Sequence, residues 1–196
     1  MHIQTRRRYT HVLCLTCIVL LSSACTSIIN SITDTPLQPN PSTTTVGTDI
    51  DDWQMNTLVG VNIKKAAPQL ANAHINVNTY NKVILLTGEV PSAALRTLAG
   101  STTRNYPGVR QVYNELQIKG SSGILARAND SWLTGKIKTK LLFSDGIRSG
   151  TVNIITESGV VYLMGMIKHA EADKIATIAS RTGGVFKVIR VFEYLD

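Results

Sequence analysis

The chain has 196 residues, of which 43% are hydrophobic, enough for one or two small domains with real cores and too many for a disordered chain. Its formal charge of +7 suggests nucleic acid until the charge is located. Arg6, Arg7 and Arg8 supply three of the positive charges from a removable leader, neither half of the remainder is strongly basic, and no zinc-finger, RRM, KH or helix-turn-helix pattern is present, so a nucleic-acid partner is excluded from the working reading.

Residues 1–24 have the order of a secretory signal: an Arg cluster, an apolar run from Val12 to Leu21, then Ser22, Ser23 and Ala24. About ten apolar residues fall short of the roughly 20 that span a bilayer. Cys25 follows directly, which makes the segment resemble a bacterial lipoprotein signal, with Cys25 as the lipidated first residue of the mature chain; Ser22 stands where that pattern prefers Leu. By the same resemblance, Thr26 rather than Asp after the Cys implies sorting to the outer membrane. Cys14 and Cys17 leave with the leader, so no disulfide is expected. Residues 25–47 are rich in Ser, Thr and Pro without apolar periodicity and read as a tether, with an r.m.s. span of roughly 25 to 30 Å.

The rest of the chain repeats, as residues 48–119 and 120–196. Each copy reads helix, strand, strand, helix, strand. The first helices are expected at Trp53 to Ala67 and Ser131 to Phe143, with Asp51 and Asp52 favoured at a helix start by the macrodipole. Alternating strands begin at Ile75 and Val152, with turns at Thr79 to Lys82 and Glu157 to Gly159. The second strands, from Val83 and Val160, are nearly continuous apolar runs expected to end at Gly88 and Gly165. Second helices follow at Ser92 to Thr103 and His169 to Arg181, with Pro107 and Gly183-Gly184 as stops, before last strands at Val109 to Ile118 and Val185 to Leu195. The fold class is α+β: two tandem αββαβ units, each a two-layer sandwich of two helices on a three-stranded mixed sheet. About 70 residues is a marginal size for either to stand alone.

Asn129 to Phe143 carries the functional signal. On a helical wheel Leu133, Ile137 and Leu141 share one narrow face, as docking on a core requires. The opposite face holds Trp132, Gly135, Thr139 and Leu142, flanked by Lys136 and Lys138, with Lys140 nearer the core edge. Trp favours the headgroup level and Lys is drawn to a negative leaflet, so an anionic phospholipid surface is the expected partner. Two alternatives stay open: Trp132 packs on a neighbouring domain, or the stripe is a hot spot for an envelope protein. In the first repeat the stretch Thr57 to Asn62 lacks the lysines, and Trp53 is expected to meet either the core or the other repeat.

No catalytic constellation is legible, no cofactor is expected, and His74 and His169 have no ligand partners at metal-binding spacing, so neither an enzyme nor a metal site is expected. The glycines at 88, 165, 183 and 184 lack the companions of a phosphate loop. The repeat order, with Asn129-Asp-Ser-Trp132, Leu141-Leu-Phe-Ser-Asp145, Val152-Asn-Ile154, Tyr162-Leu-Met-Gly165 and Ile178-Ala-Ser-Arg-Thr-Gly-Gly-Val185, resembles the dual BON-domain lipoproteins of the Gram-negative outer membrane. That resemblance implies a lipid-anchored periplasmic protein whose second BON domain binds anionic phospholipid through its first helix. It implies support of outer-membrane integrity and association with the division site, and it sets Trp132 and Leu142 at the lipid-contacting positions. An adaptor for an outer-membrane assembly factor or a cell-wall amidase regulator is the other reading.

Overall fold

The computed structural model of the chain describes residues 48–120 and 123–195; the leader, Cys25 and the tether lie outside them. The first repeat comprises α1 (Thr48–Ala66), a single turn α2 (Pro68–Ala71), β1 (His74–Tyr80), β2 (Val83–Val90), α3 (Ala93–Arg104) and a third strand in two pieces, β3 (Gln111–Asn114) and β4 (Gln117–Ile118). The second comprises α4 (Ile124–Leu142), a 3-10 turn, β5 (Val152–Glu157), β6 (Val160–Ile167), α5 (His169–Ser180) and β7 (Lys187–Tyr194). In both sheets the second strand is central, antiparallel to the first and parallel to the last.

Both first helices start earlier than the sequence suggests. α1 begins at Thr48 and α4 at Ile124, because nothing between Ala126 and Asn129 breaks a helix and the apolar wheel that marks the later start is a tertiary signal rather than a boundary. Ser131 therefore sits inside α4, its hydroxyl donating to the Arg127 carbonyl at 3.0 Å. Ser92, by contrast, is a true N-cap, accepting from the Leu95 amide at 3.3 Å. The last strand of the first repeat breaks at Glu115 and Leu116, where Asn114 turns its side chain back: Oδ1 accepts from the Leu116 amide at 3.4 Å and Nδ2 donates to the Arg96 carbonyl at 2.8 Å.

Gly88 and Gly165 do not end their strands; β2 and β6 run on to Val90 and Ile167. A Cβ at Gly88 would collide with the His74 carbonyl oxygen and one at Gly165 with that of Thr151, so both glycines allow the neighbouring strand to close in. The hairpin turns are tighter than the expected spans. Asn81 and Lys82, and likewise Ser158 and Gly159, have positive φ at both central positions, the geometry that matches strand twist in two-residue hairpins.

Each repeat has a core between its helices and its sheet. In the first, Met55, Val59 and Ile63 of α1 meet Ile84, Leu86 and Val90 of β2 and Ala99 of α3; in the second, Ile137 and Leu141 of α4 meet Val161, Leu163 and Ile167 of β6 and Ile175 and Ala179 of α5. A third cluster draws on both repeats: Val83 and Leu85 of β2 with Val160, Tyr162 and Met164 of β6 and Val191 of β7, edged by Tyr80 and Tyr113. The helix-free faces of the two sheets therefore pack on each other, giving four layers: helices, sheet, sheet, helices. This explains the continuous apolar runs of β2 and β6, which are buried on both faces. Burial, helped by the Glu115 and Glu157 carboxylates, pushes the Tyr162 hydroxyl up to about 12, so it stays neutral in this seam.

Polar bonds line the seam margin. Arg110 and Asn81 of the first repeat both bind Glu193 of the second, Asn76 donates to Glu157 Oε2 at 2.9 Å, and Lys119 donates to Ser158 Oγ at 3.0 Å. Trp53, expected in a core or at the other repeat, reaches neither; it is 67% exposed.

Candidate functional site

α4 is held against its domain by the face that the apolar periodicity marks. Leu133, Ile137 and Leu141 are fully buried. Between them and the first turns lies Asp130, buried although charged, whose carboxylate accepts from the Ser158 amide at 2.8 Å and the Gly159 amide at 2.9 Å. Those amides sit at the tip of the β5–β6 hairpin, where the strand ladder supplies no partner. Asp52 does the same in the first repeat for the amides of Asn81 and Lys82, at 2.6 and 3.0 Å. It acts on the hairpin, four residues into α1, rather than at the helix start.

These paired aspartates fix the register between the two first helices. Asp52, Met55, Val59 and Ile63 correspond to Asp130, Leu133, Ile137 and Leu141, which places Trp53 opposite Ser131 and Trp132 opposite Gln54. The two tryptophans are therefore a residue apart, about 100° around the helix, and are not equivalent.

The outer face of α4 has no partner among the described residues. Trp132 is 59% exposed and Leu142 66%, with Gly135 and Thr139 exposed between them, Thr139 donating its hydroxyl to the Gly135 carbonyl at 2.9 Å. Lys136 lies with its ammonium 4.5 Å from the Trp132 ring centre and 3.4 Å from the Gly183 carbonyl oxygen, so a cation is held over the aromatic face. Lys138 is exposed on the other flank, and Lys140 turns to the loop after α5, donating to Thr182 Oγ1 at 3.0 Å. A shallow cleft beside the helix, lined by Lys138, Thr139, Leu142, Gly150, Val152 and Asn153, separates it from β5.

Several exposed apolar residues were not singled out by sequence reasoning. Phe143, at the C-cap, is 81% exposed and borders a second cleft with Ile178 and Arg181 of the α5 side. Ile124 and Leu125 stand bare at the other end, where the earlier helix start carries them. Phe186 is exposed beside Gly159, in the loop after α5, while its neighbours Val185 and Val188 pack inward; the two valines are three residues apart, so no strand alternation marks Phe186. Gly183 and Gly184 are more than a stop. Gly184 has φ +101°, and a Cβ there would sit 2.8 Å from Leu133 Cδ2, so this loop packs closely on α4.

No described helix is long and apolar enough to cross a membrane. His74, without ligand partners in the local sequence, is brought by the fold beside Glu89 and Glu157.

The chain belongs to the BON-domain family: residues 54–120 and residues 129–196 each match the BON domain, which makes this a dual BON-domain protein. Among relatives, it is 36% identical over 152 residues to Outer membrane lipoprotein DolP of Haemophilus influenzae, covering 78% of this chain and 79% of that one. It is 36% identical over 150 residues to the 21 kDa hemolysin of Actinobacillus pleuropneumoniae, covering 76% and 77%. Over 122 residues it is 32% identical to Osmotically-inducible protein Y of Escherichia coli, 61% of each chain.

Proposed function

We propose that the chain is a non-catalytic, lipid-anchored protein of the outer membrane's periplasmic face, tethered through Cys25, which docks the outer face of α4 on anionic phospholipid and supports membrane integrity at the division site. The observation that carries this reading is the arrangement of Trp132 and Leu142, both exposed on a rigidly seated helix, with Lys136 and Lys138 on its flanks. Similarity to an outer-membrane lipoprotein over most of both chains supports the location.

The energetics suit reversible docking. Full burial of a Trp or Leu side chain contributes roughly 1.5 to 3 kcal/mol, and each lysine near an anionic surface about 1 kcal/mol. The helix needs no rearrangement to offer this face, since its buried side and the Asp130 bonds already fix its orientation. Anchoring by acyl chains supplies the standing attachment, and α4 adds headgroup-dependent contact.

The protein is expected to co-sediment with phosphatidylglycerol vesicles and not with phosphatidylcholine vesicles. Trp132→Glu removes the central apolar contact and sets a negative charge against the surface, which is expected to weaken binding by tenfold or more. Unchanged binding by this variant, with native circular dichroism, overturns the proposal. Loss of a bound envelope protein with vesicle binding intact would assign the face to an adaptor role instead.

A further inference from the structure

At one margin of the seam, three side chains with metal-ligating atoms converge from two repeats. His74 opens β1, Glu89 is its cross-strand partner on β2, and Glu157 closes β5. One imidazole nitrogen and one oxygen from each carboxylate all lie within 4.8 Å of one another. His74 Nε2 is 3.5 Å from Glu157 Oε1. Two ligands on a tetrahedral ion with bonds of about 2.0 to 2.1 Å stand about 3.4 Å apart, so this pair already has the spacing of one polyhedron edge.

The surroundings suit a cation. The Glu89 and Glu157 side chains are 1% and 5% exposed, and two buried carboxylates repel strongly where water cannot screen them. Lys119 pairs with Glu89 from the rim of the cluster, its ammonium 3.7 Å from Oε1. Asn76 acts as an outer-shell partner to Glu157: its amide holds Oε2 at 2.9 Å, leaving Oε1 to face His74. A cleft of about 400 Å³, lined by His74, Asn76, Asp130, Thr134 and Glu157 with Arg127, gives access for ion and water.

We infer that His74, Glu89 and Glu157 form a site for one divalent transition-metal ion, zinc by the match to an imidazole and two carboxylates, with water from the cleft as fourth ligand. Magnesium and calcium prefer sets of oxygen ligands only. Because β1 and β2 belong to one repeat and β5 to the other, the ion ties the repeats together across the seam. The proposal does not depend on lipid docking, whose residues lie elsewhere on α4.

The test is zinc titration of the chelator-stripped full chain in detergent micelles, by calorimetry and by thermal unfolding. The wild-type protein is expected to bind one zinc more than His74→Gln or Glu157→Gln, and zinc is expected to raise the unfolding temperature of the wild type alone, with magnesium inert. Asn76→Ala is expected to weaken that extra site by about 10- to 100-fold, and His169→Gln to keep it. Equal stoichiometry in the wild type and both ligand variants overturns the site. Should a variant unfold, X-ray absorption of the zinc-loaded wild type decides: nitrogen and oxygen ligands including one imidazole support the site, whereas a sulfur-containing or water-only shell overturns it.

Discussion

Asp52 and Asp130 show how much of this fold hangs on single side chains. Each is an acid inside a helix, and each spends its carboxylate on two amides at the tip of a hairpin 28 to 30 residues away. Asp130→Ala would leave the Ser158 and Gly159 amides without this acceptor and is expected to cost about 1 to 3 kcal/mol, read as a lower urea midpoint with an unchanged slope. An unchanged midpoint would mean that solvent replaces the carboxylate freely. In the sequence Asp130 stands in the run Asn129-Asp-Ser-Trp132 and Asp52 at a helix start, and the role of neither is legible there. The partner of each is a turn that no local pattern connects to a helix, and only the folded hairpin brings the two together. The same limit hid the metal-ligating set: cross-strand pairing puts Glu89 opposite His74, and Glu157 arrives from the other repeat.

At the level of elements, apolar periodicity was a sound guide to which face is buried and a poor one to where an element ends. Leu133, Ile137 and Leu141 are buried as the wheel requires, while α4 extends seven residues further back because its first turns face solvent and carry no periodic mark. Trp53 was misjudged for a related reason: its place after an acidic pair imitates that of Trp132, but the aspartate register shifts it by one residue and turns it to solvent. Within α4, Gly135 is exposed at mid-helix with nothing within 4 Å of an added Cβ. Gly135→Ala is therefore expected to stabilise the protein by about 0.8 to 1 kcal/mol through helix propensity alone, seen as a raised denaturation midpoint. A destabilised variant would show that the helix needs the glycine for something other than space.

The whole molecule is more than two units in series. The unbroken apolar runs of β2 and β6 were visible in the sequence, and their meaning, sheets covered on both faces, becomes plain only once Leu85 and Tyr162 are seen in one cluster. Sequence alone could not orient the repeats, because either sheet could have faced a third surface. Two carboxylates at the seam margin respond oppositely to pH. Glu193 is drawn upward by burial, but its bonds from Arg110 and Asn81 together with the Arg110 charge outweigh this and hold it below its ordinary 4.5. A depressed folded-state value means the unfolded chain takes up the proton first, so this contribution is complete above 4.5 and disappears as the pH falls through the folded-state value. Glu157, raised by burial, has the reverse sign: its contribution is complete below 4.5 and is lost as the pH rises through its folded-state value. Glu193→Gln is therefore expected to lower the urea midpoint at neutral pH and to converge on the wild type as the pH drops below 4.5. Glu157→Gln is expected to gain on the wild type as the pH climbs from acid to neutral in chelated buffer. If the Glu193→Gln gap stays constant down to about pH 3, well under the ordinary carboxylate range, then the Arg110 and Asn81 contacts do not act through its charge.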